Sequence, residues 1–253
     1  MSSSRVLYKC KRSCYHDRMN LSGAVAIITG GSRGLGLELC LALDAAGATT
    51  IACASNPSKE SGIFAVDMRK QSEVQSFVEG VHKRFGKIDI LINNAGWVEQ
   101  MQSIDSMSPD DIDRCIDTNV KGPLYAIQAV LPFMRKKRFG TIVTIGSRAG
   151  TFVHPGFAVY SASKFAVRGF TEAIAKDMEQ ASLPIRCFSV SPGGIDTAMR
   201  ASLFGEEDSK KQQRPSVVAA LIVGCLQDHP VIPNGADVHI TSEKISAILS
   251  PKT

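Results

Sequence analysis

The sequence predicts an α/β protein built on one doubly wound parallel sheet of about seven strands, flanked by helices. Three observations predict it. Short β-rich runs alternate with longer helix-patterned segments along the 253 residues, the mark of βαβ units with right-handed crossovers. The strand runs are almost continuously apolar, as in Ile88-Asp89-Ile90-Leu91-Ile92 and Thr141-Ile142-Val143-Thr144-Ile145, which suits a sheet covered on both faces. Small and polar residues stand at the strand ends: Thr29-Gly30, Ser55, Asp67, Asn93-Asn94-Ala95-Gly96, Ser147 and Ser191-Pro192-Gly193. Such a sheet binds ligands in the crevice outside those ends.

The first strand, 24–29, breaks into TGGSRGLG at 29–36 and resumes as a helix over 34–46. A strand, a glycine turn and a helix N-terminus together make a Rossmann-type phosphate cradle, since glycine permits close backbone approach and the helix end offers free N–H groups. Strands follow at 48–54 and 63–66, a helix at 71–85, a strand at 88–92 and a long helix at 109–135. The cations Arg135-Lys136-Lys137-Arg138 close that helix, where they suit its dipole. A strand at 140–146, a helix at 158–180 and a strand at 185–190 come next. Residues 205–213 are charged and lack apolar anchors, and read as a mobile loop or lid, or as plain surface. A helix at 215–227 and a strand at 236–240 finish the pattern. No repeat or linker divides it, so residues 19–253 are expected to form one domain.

Composition bounds the function. Hydrophobic residues make up 44% of the chain, enough for one sizeable core. No apolar run nears the ~20 residues that span a bilayer. The net charge of +5 is concentrated in residues 1–18, where Arg5, Lys9, Lys11, Arg12 and Arg18 face Asp17 alone. This stretch reads as a dispensable basic extension, with an organelle transit segment as the alternative. Nothing in the body calls for nucleic acid. Seven scattered cysteines suggest no disulfide framework, so a reducing, cytoplasmic setting is expected. Cys10, Cys14 and His16 fit no zinc spacing, and no metal is expected.

The chemistry is carried by Tyr160 and Lys164, one helical turn apart in YSASK. A nearby ammonium favours the phenolate and is expected to lower the tyrosine pKa. Taken alone, the pair is a weak signal and more often marks a half-buried tyrosine beside a surface lysine. Ser147 ends a strand and could bond a substrate oxygen, or simply start a turn. Asn119 stands mid-helix, where asparagine is unfavourable, so it caps, kinks or binds a water.

Together these residues resemble the short-chain dehydrogenase/reductase family, from about Asn20 to about Met199. The matching motifs are TGxxxGxG at 29–36, NNAG at 93–96, Asn119, Ser147, YxxxK at 160–164 and Pro-Gly at 192–193. Within the family the likeness is to 3-oxoacyl-carrier-protein reductases and related carbonyl reductases. The resemblance implies an oxidoreductase that exchanges hydride between a nicotinamide and a carbonyl or secondary alcohol. Tyr160 would act as general acid/base, and Ser147 would hold the carbonyl oxygen. Lys164 would tune the tyrosine and hold the ribose, and Asn119 would fix a relay water. The implied cofactor set is Gly30, Ser32, Arg33, Gly34, Leu35, Gly36, Ser55, Asp67, Met68, Asn94, Ala95, Gly96, Tyr160, Lys164, Pro192, Gly193, Ile195 and Thr197. Asp67 would meet the adenine edge and Asn93 the ribose side. Trp97, His154 and Phe157 would border the substrate, a 3-oxoacyl thioester or another ketone.

Cofactor choice has its own argument. Enzymes that bind the unphosphorylated ribose place an acid after the second strand. Here that position reads Cys53-Ala54-Ser55-Asn56, and Arg33 supplies a guanidinium suited to a phosphate. NADP(H) is therefore expected with Arg33 and Ser55 at the 2′-phosphate and Lys59 as a third contact, NAD(H) being the alternative. The tail 236–242 lacks the family's usual Gly-Gly, so a homodimer through the helices at 109–135 and 158–180 is expected before a tetramer. Two rivals are an extended-type epimerase, disfavoured by glycine spacing, and a non-catalytic cofactor sensor, disfavoured by the retained Tyr160 and Lys164.

Overall fold

The structure, a computed structural model, describes residues 19–251. The basic extension at 1–18, with Cys10, Cys14 and His16, lies outside them. Eight strands form one sheet in the order β3-β2-β1-β4-β5-β6-β7-β8. They are β1 (Val25–Thr29), β2 (Thr49–Ala54), β3 (Phe64–Ala65), β4 (Ile90–Asn93), β5 (Gly140–Ile145), β6 (Ile185–Pro192), β7 (Asp237–Thr241) and β8 (Lys244–Leu249). The first seven pair in parallel, and β8 returns antiparallel at the edge.

The eighth strand corrects the expected count of about seven. Its turn is two residues long, Ser242-Glu243, with φ of 51° and 58°. A hairpin of this kind normally announces itself with Asn or Gly at the left-handed positions. Serine and glutamate hide it.

The strands alternate between two cores. In β1, Ala26 and Ile28 face one side with Leu35, Leu39 and Leu43 of α1 (Gly34–Ala45) and Val218, Ile222 and Leu226 of α8 (Pro215–Leu226). Val25 and Ile27 face the other, with α2 (Gln71–Phe85), α4 (Gly122–Lys137) and α5 (Ala158–Gln180) contributing Val78, Val130, Met134, Ala175 and Met178. Burial on both faces is why the strands read as unbroken apolar runs. Asp89 interrupts that run for a reason. It receives the Val25 N–H at 2.8 Å and pairs with Lys137.

The long helix expected over 109–135 is two. A helix α3 (Pro109–Ile116) passes through one wide π turn, Asp117–Lys121, into α4. Pro123 has no N–H to give the carbonyl of Asn119 four residues back. The chain widens instead, with the Gly122 N–H reaching the Asp117 carbonyl. The stretch 205–213 is not an unanchored loop. A helix α6 (Ala198–Phe204) and one turn, α7 (Glu206–Ser209), precede a bridge between Ile195 and Gln213. The anchors are polar: Ser209 Oγ donates to Asp196 Oδ1 at 2.6 Å, and Gln213 Nε2 donates to the carbonyls of Gly194 and Ile240, both at 3.2 Å.

Candidate active site

The strand order reverses between β1 and β4, and a cleft of about 960 Å³ opens over that point. Its floor is the glycine turn. Gly30 and Gly34 have φ of +69° and +55°, backbone that side chains rarely adopt. A Cβ on Gly36 would lie 2.2 Å from the Gly30 carbonyl oxygen and 2.5 Å from Asn94 Nδ2. The turn is thus folded hard against the end of β4. Asn94 braces it, donating from Nδ2 to the carbonyls of Thr29 and Gly30 at 3.0 and 3.1 Å. Thr29 Oγ1 accepts the N–H groups of Asn94 and Ala95.

The start of α1 carries neither a side-chain cap nor an acid in its first turn. Gly34, Leu35 and Gly36 at that start line the cleft. An uncapped helix N-terminus facing a cavity suits an anion such as a pyrophosphate. Ser32, Arg33 and Ser55 also line it, with no acid at the end of β2. Asp67 lines it as well, ion-paired to Arg69 at 2.7 Å. The hydrogen bond from Arg69 holds the Asp67 carboxyl below the usual carboxylate range. The residues present therefore fit a dinucleotide.

Met68, Ala95, Gly96, Pro192, Gly193, Ile195 and Thr197 complete that half of the lining. Thr197 lies against Gly34, its Cγ2 at 3.3 Å from where a glycine Cβ would stand, and its hydroxyl caps α6 by accepting the Arg200 N–H at 3.2 Å.

Ser147, Tyr160 and Lys164 meet in the other half. Ser147 follows β5, and its Oγ accepts the Ala149 N–H at 3.1 Å. Tyr160 and Lys164 come from the first two turns of α5. Lys164 is buried, its Nζ donating to the Ile145 carbonyl at 2.9 Å and lying 5.6 Å from the Tyr160 ring centroid. Burial drives the Lys164 pKa down to about 8. The expected lowering of the tyrosine does not occur. Burial pushes the Tyr160 phenol above its ordinary value, and the group that opposes this is Ser147, through a hydrogen bond, rather than Lys164. Desolvation of the phenolate outweighs its neighbours.

Three of the expected residues are not on the lining. Asn119 is buried beside the cleft, not on its lining. Its Oδ1 accepts the Trp97 N–H at 2.8 Å, and its Nδ2 donates to the Trp97 carbonyl at 2.7 Å and to Ser163 Oγ at 3.0 Å. Asn93 is buried in β4 and off the lining, and Lys59 lies in a turn off the cleft. Trp97, His154 and Phe157 line the same cleft. Arg69 and Arg114 were not signalled by the sequence, while Arg148, Met199, Arg200, Leu203 and Phe204 fall in the stretches 148–157 and 197–213 that the sequence marks as shaping the pocket without picking them out singly. Arg114 stacks on Trp97, and Arg200 lies 3.8 Å from the Phe204 ring centroid. Only the amphipathic spacing of 199, 200, 203 and 204 could have signalled the α6 set.

Residues 24–208 match the short chain dehydrogenase family. The chain belongs to that family. It is 30% identical to the 3-oxoacyl-[acyl-carrier-protein] reductase of Escherichia coli over 226 residues, covering 85% of this chain and 89% of the relative. A short chain dehydrogenase from Burkholderia cenocepacia, solved in complex with NADP, superposes with a TM-score of 0.78 at 28% identity, covering 88% of this chain and 98% of that one. A 3-ketoacyl-(acyl-carrier-protein) reductase from Brucella melitensis, solved with NADH, gives 0.79 at 24% identity over 87% and 97%, a likeness of fold. No described helix is long and apolar enough to cross a membrane, and no described cluster of His, Cys, Asp or Glu could hold a metal.

Proposed function

We propose that this chain is an NADP(H)-dependent ketoreductase, with a 3-oxoacyl thioester or similar ketone as substrate. The carrying observation is that Ser147, Tyr160 and Lys164 line one end of the cleft that begins at the uncapped helix α1. A bound nicotinamide would supply or accept hydride at the carbonyl carbon. Ser147 and Tyr160 would direct their O–H groups at the carbonyl oxygen, stabilising charge most when it is largest. The raised pKa of Tyr160 suits a proton donor, since it keeps the phenol protonated near neutrality. Lys164, with donor capacity beyond its bond to Ile145, would hold the ribose. Asn119 would meet the relay water through its carbonyl, its side chain being engaged.

The substrate half favours an amphipathic, anionic substrate. Trp97, Met101, Phe157 and Phe204 supply apolar surface, Arg114 and Arg148 supply charge, and no carboxylate lines this half. Arg33 and Ser55, with no acid after β2, favour the phosphorylated cofactor. Fluorescence titration tests this choice. NADPH should bind more tightly than NADH, and Arg33→Ala should weaken NADPH by roughly tenfold or more while sparing NADH. Tighter NADH binding to the wild type would overturn it. Turnover with β-ketoacyl thioesters, steroids, sugars and small ketones then fixes the substrate.

A further inference from the structure

Helix α5 begins without a cap of its own. Its N-cap residue is Phe157, whose side chain can accept nothing, and the first helical bond is Ser161 N–H to the Phe157 carbonyl. That leaves the Tyr160 N–H among the orphan donors of the first turn. Tyr160 is thus held by the part of the helix most prone to fray. The missing acceptor comes from far away in the chain. Glu99, six residues past β4, is fully buried, and its Oε1 accepts the Tyr160 N–H at 3.0 Å. A carboxyl at a helix N-terminus is favoured both by the hydrogen bond and by the dipole.

The contact closes a ring. Asn119 clamps both backbone groups of Trp97, two residues before Glu99, at 2.8 and 2.7 Å. Asn119 Nδ2 also donates to Ser163 Oγ, which donates in turn to the Tyr160 carbonyl at 2.7 Å. Tyr160 is therefore gripped by its N–H and its C=O, and both grips lead back to Asn119. The second Glu99 oxygen is buried with no hydrogen-bond partner. Burying a carboxyl group is costly, so an ordinary packing role would be better served by an apolar residue.

We infer that Glu99 is a positioning residue: through the Tyr160 N–H it completes a buried hydrogen-bond ring that fixes the tyrosine hydroxyl over the cleft. The inference rests on the proposed reaction, because only there does the hydroxyl's position matter. It is distinct from the roles of Ser147, Tyr160 and Lys164, which face the cleft.

The test compares Glu99→Ala with Glu99→Gln, whose amide oxygen can still accept the same N–H. The alanine variant should lose roughly tenfold to a hundredfold in kcat for carbonyl reduction, with the Kd for NADPH unchanged within about twofold. The glutamine variant should recover most of that kcat. Amide hydrogen exchange of residues 157–163 should speed up in the alanine variant and return toward wild type in the glutamine variant. Ser163→Ala, which cuts the other arm, should give the same kcat loss at constant Kd and keeps the idea testable if Glu99→Ala does not fold. Wild-type kcat in Glu99→Ala, or exchange unaltered in it, overturns the inference. So does a glutamine variant as impaired as the alanine one. If the wild type reduces no carbonyl at all, the proposed reaction fails, while the exchange contrast still decides whether Glu99 holds Tyr160.

Discussion

Lys164 shows what a buried base costs this fold. Its charged form lies in the interior with one carbonyl contact, and its pKa falls to about 8 from an ordinary 10.5. Below pH 8 both folded and unfolded chains carry the proton, so the full burial penalty is present. Between about pH 8 and 10.5 the folded chain releases its proton first, and the penalty fades. The shift corresponds to roughly 3 kcal/mol. Lys164→Met should therefore raise the melting temperature relative to wild type most at pH 7, with the gap shrinking toward pH 10. A gap that grows with pH would contradict the assignment. The pairing of Tyr160 with Lys164 was legible from their spacing, because helix geometry puts positions four apart on one face. The direction of the tyrosine shift was not, since it depends on burial that neither residue type announces. Glu99 was equally silent, as its partner lies 61 residues away.

The glycine turn and the π turn are opposite cases among the elements. TGGSRGLG carried its own conformational demand, and Gly36 sits where a Cβ would meet the Gly30 carbonyl at 2.2 Å. Gly36→Ala should force the turn from β4, lowering stability by about 2 kcal/mol or more and abolishing dinucleotide binding in the same titration. Native stability with intact binding would show that the turn tolerates a methyl group there. The break of the long helix at Asp117–Lys121 was half visible. Asn119 was marked as unfavourable mid-helix, but its cause, Pro123 without an N–H, sits where proline also suits a helix start. The anchors of 206–213 were missed because Ser209 and Gln213 are polar. Polar residues signal burial only once their partners, Asp196, Gly194 and Ile240, are known.

For the whole molecule, the parallel sheet, its two cores and the cleft over the β1/β4 reversal followed from alternation and from small residues at strand ends. The antiparallel edge strand escaped because its turn uses Ser242 and Glu243. Oligomeric state belongs to this scale too. Leu124 on α4 and Phe165 on α5 remain 36% and 44% exposed, large apolar side chains on the two helices through which we propose that copies associate. Phe165→Arg should shift the chain toward monomer in light scattering coupled to size exclusion. A wild type already monomeric at micromolar concentration would remove that proposal.

We propose that Tyr160 passes a proton to a carbonyl oxygen held in the cleft. NADPH oxidation with a β-ketoacyl thioester, measured for wild type and Tyr160→Phe alongside NADPH affinity, tests it most directly. The variant should lose roughly a thousandfold or more in kcat, within the range of general acid catalysis plus a lost oxyanion donor, a far larger effect than any change in its Kd for NADPH. Equal turnover by the two proteins would contradict it.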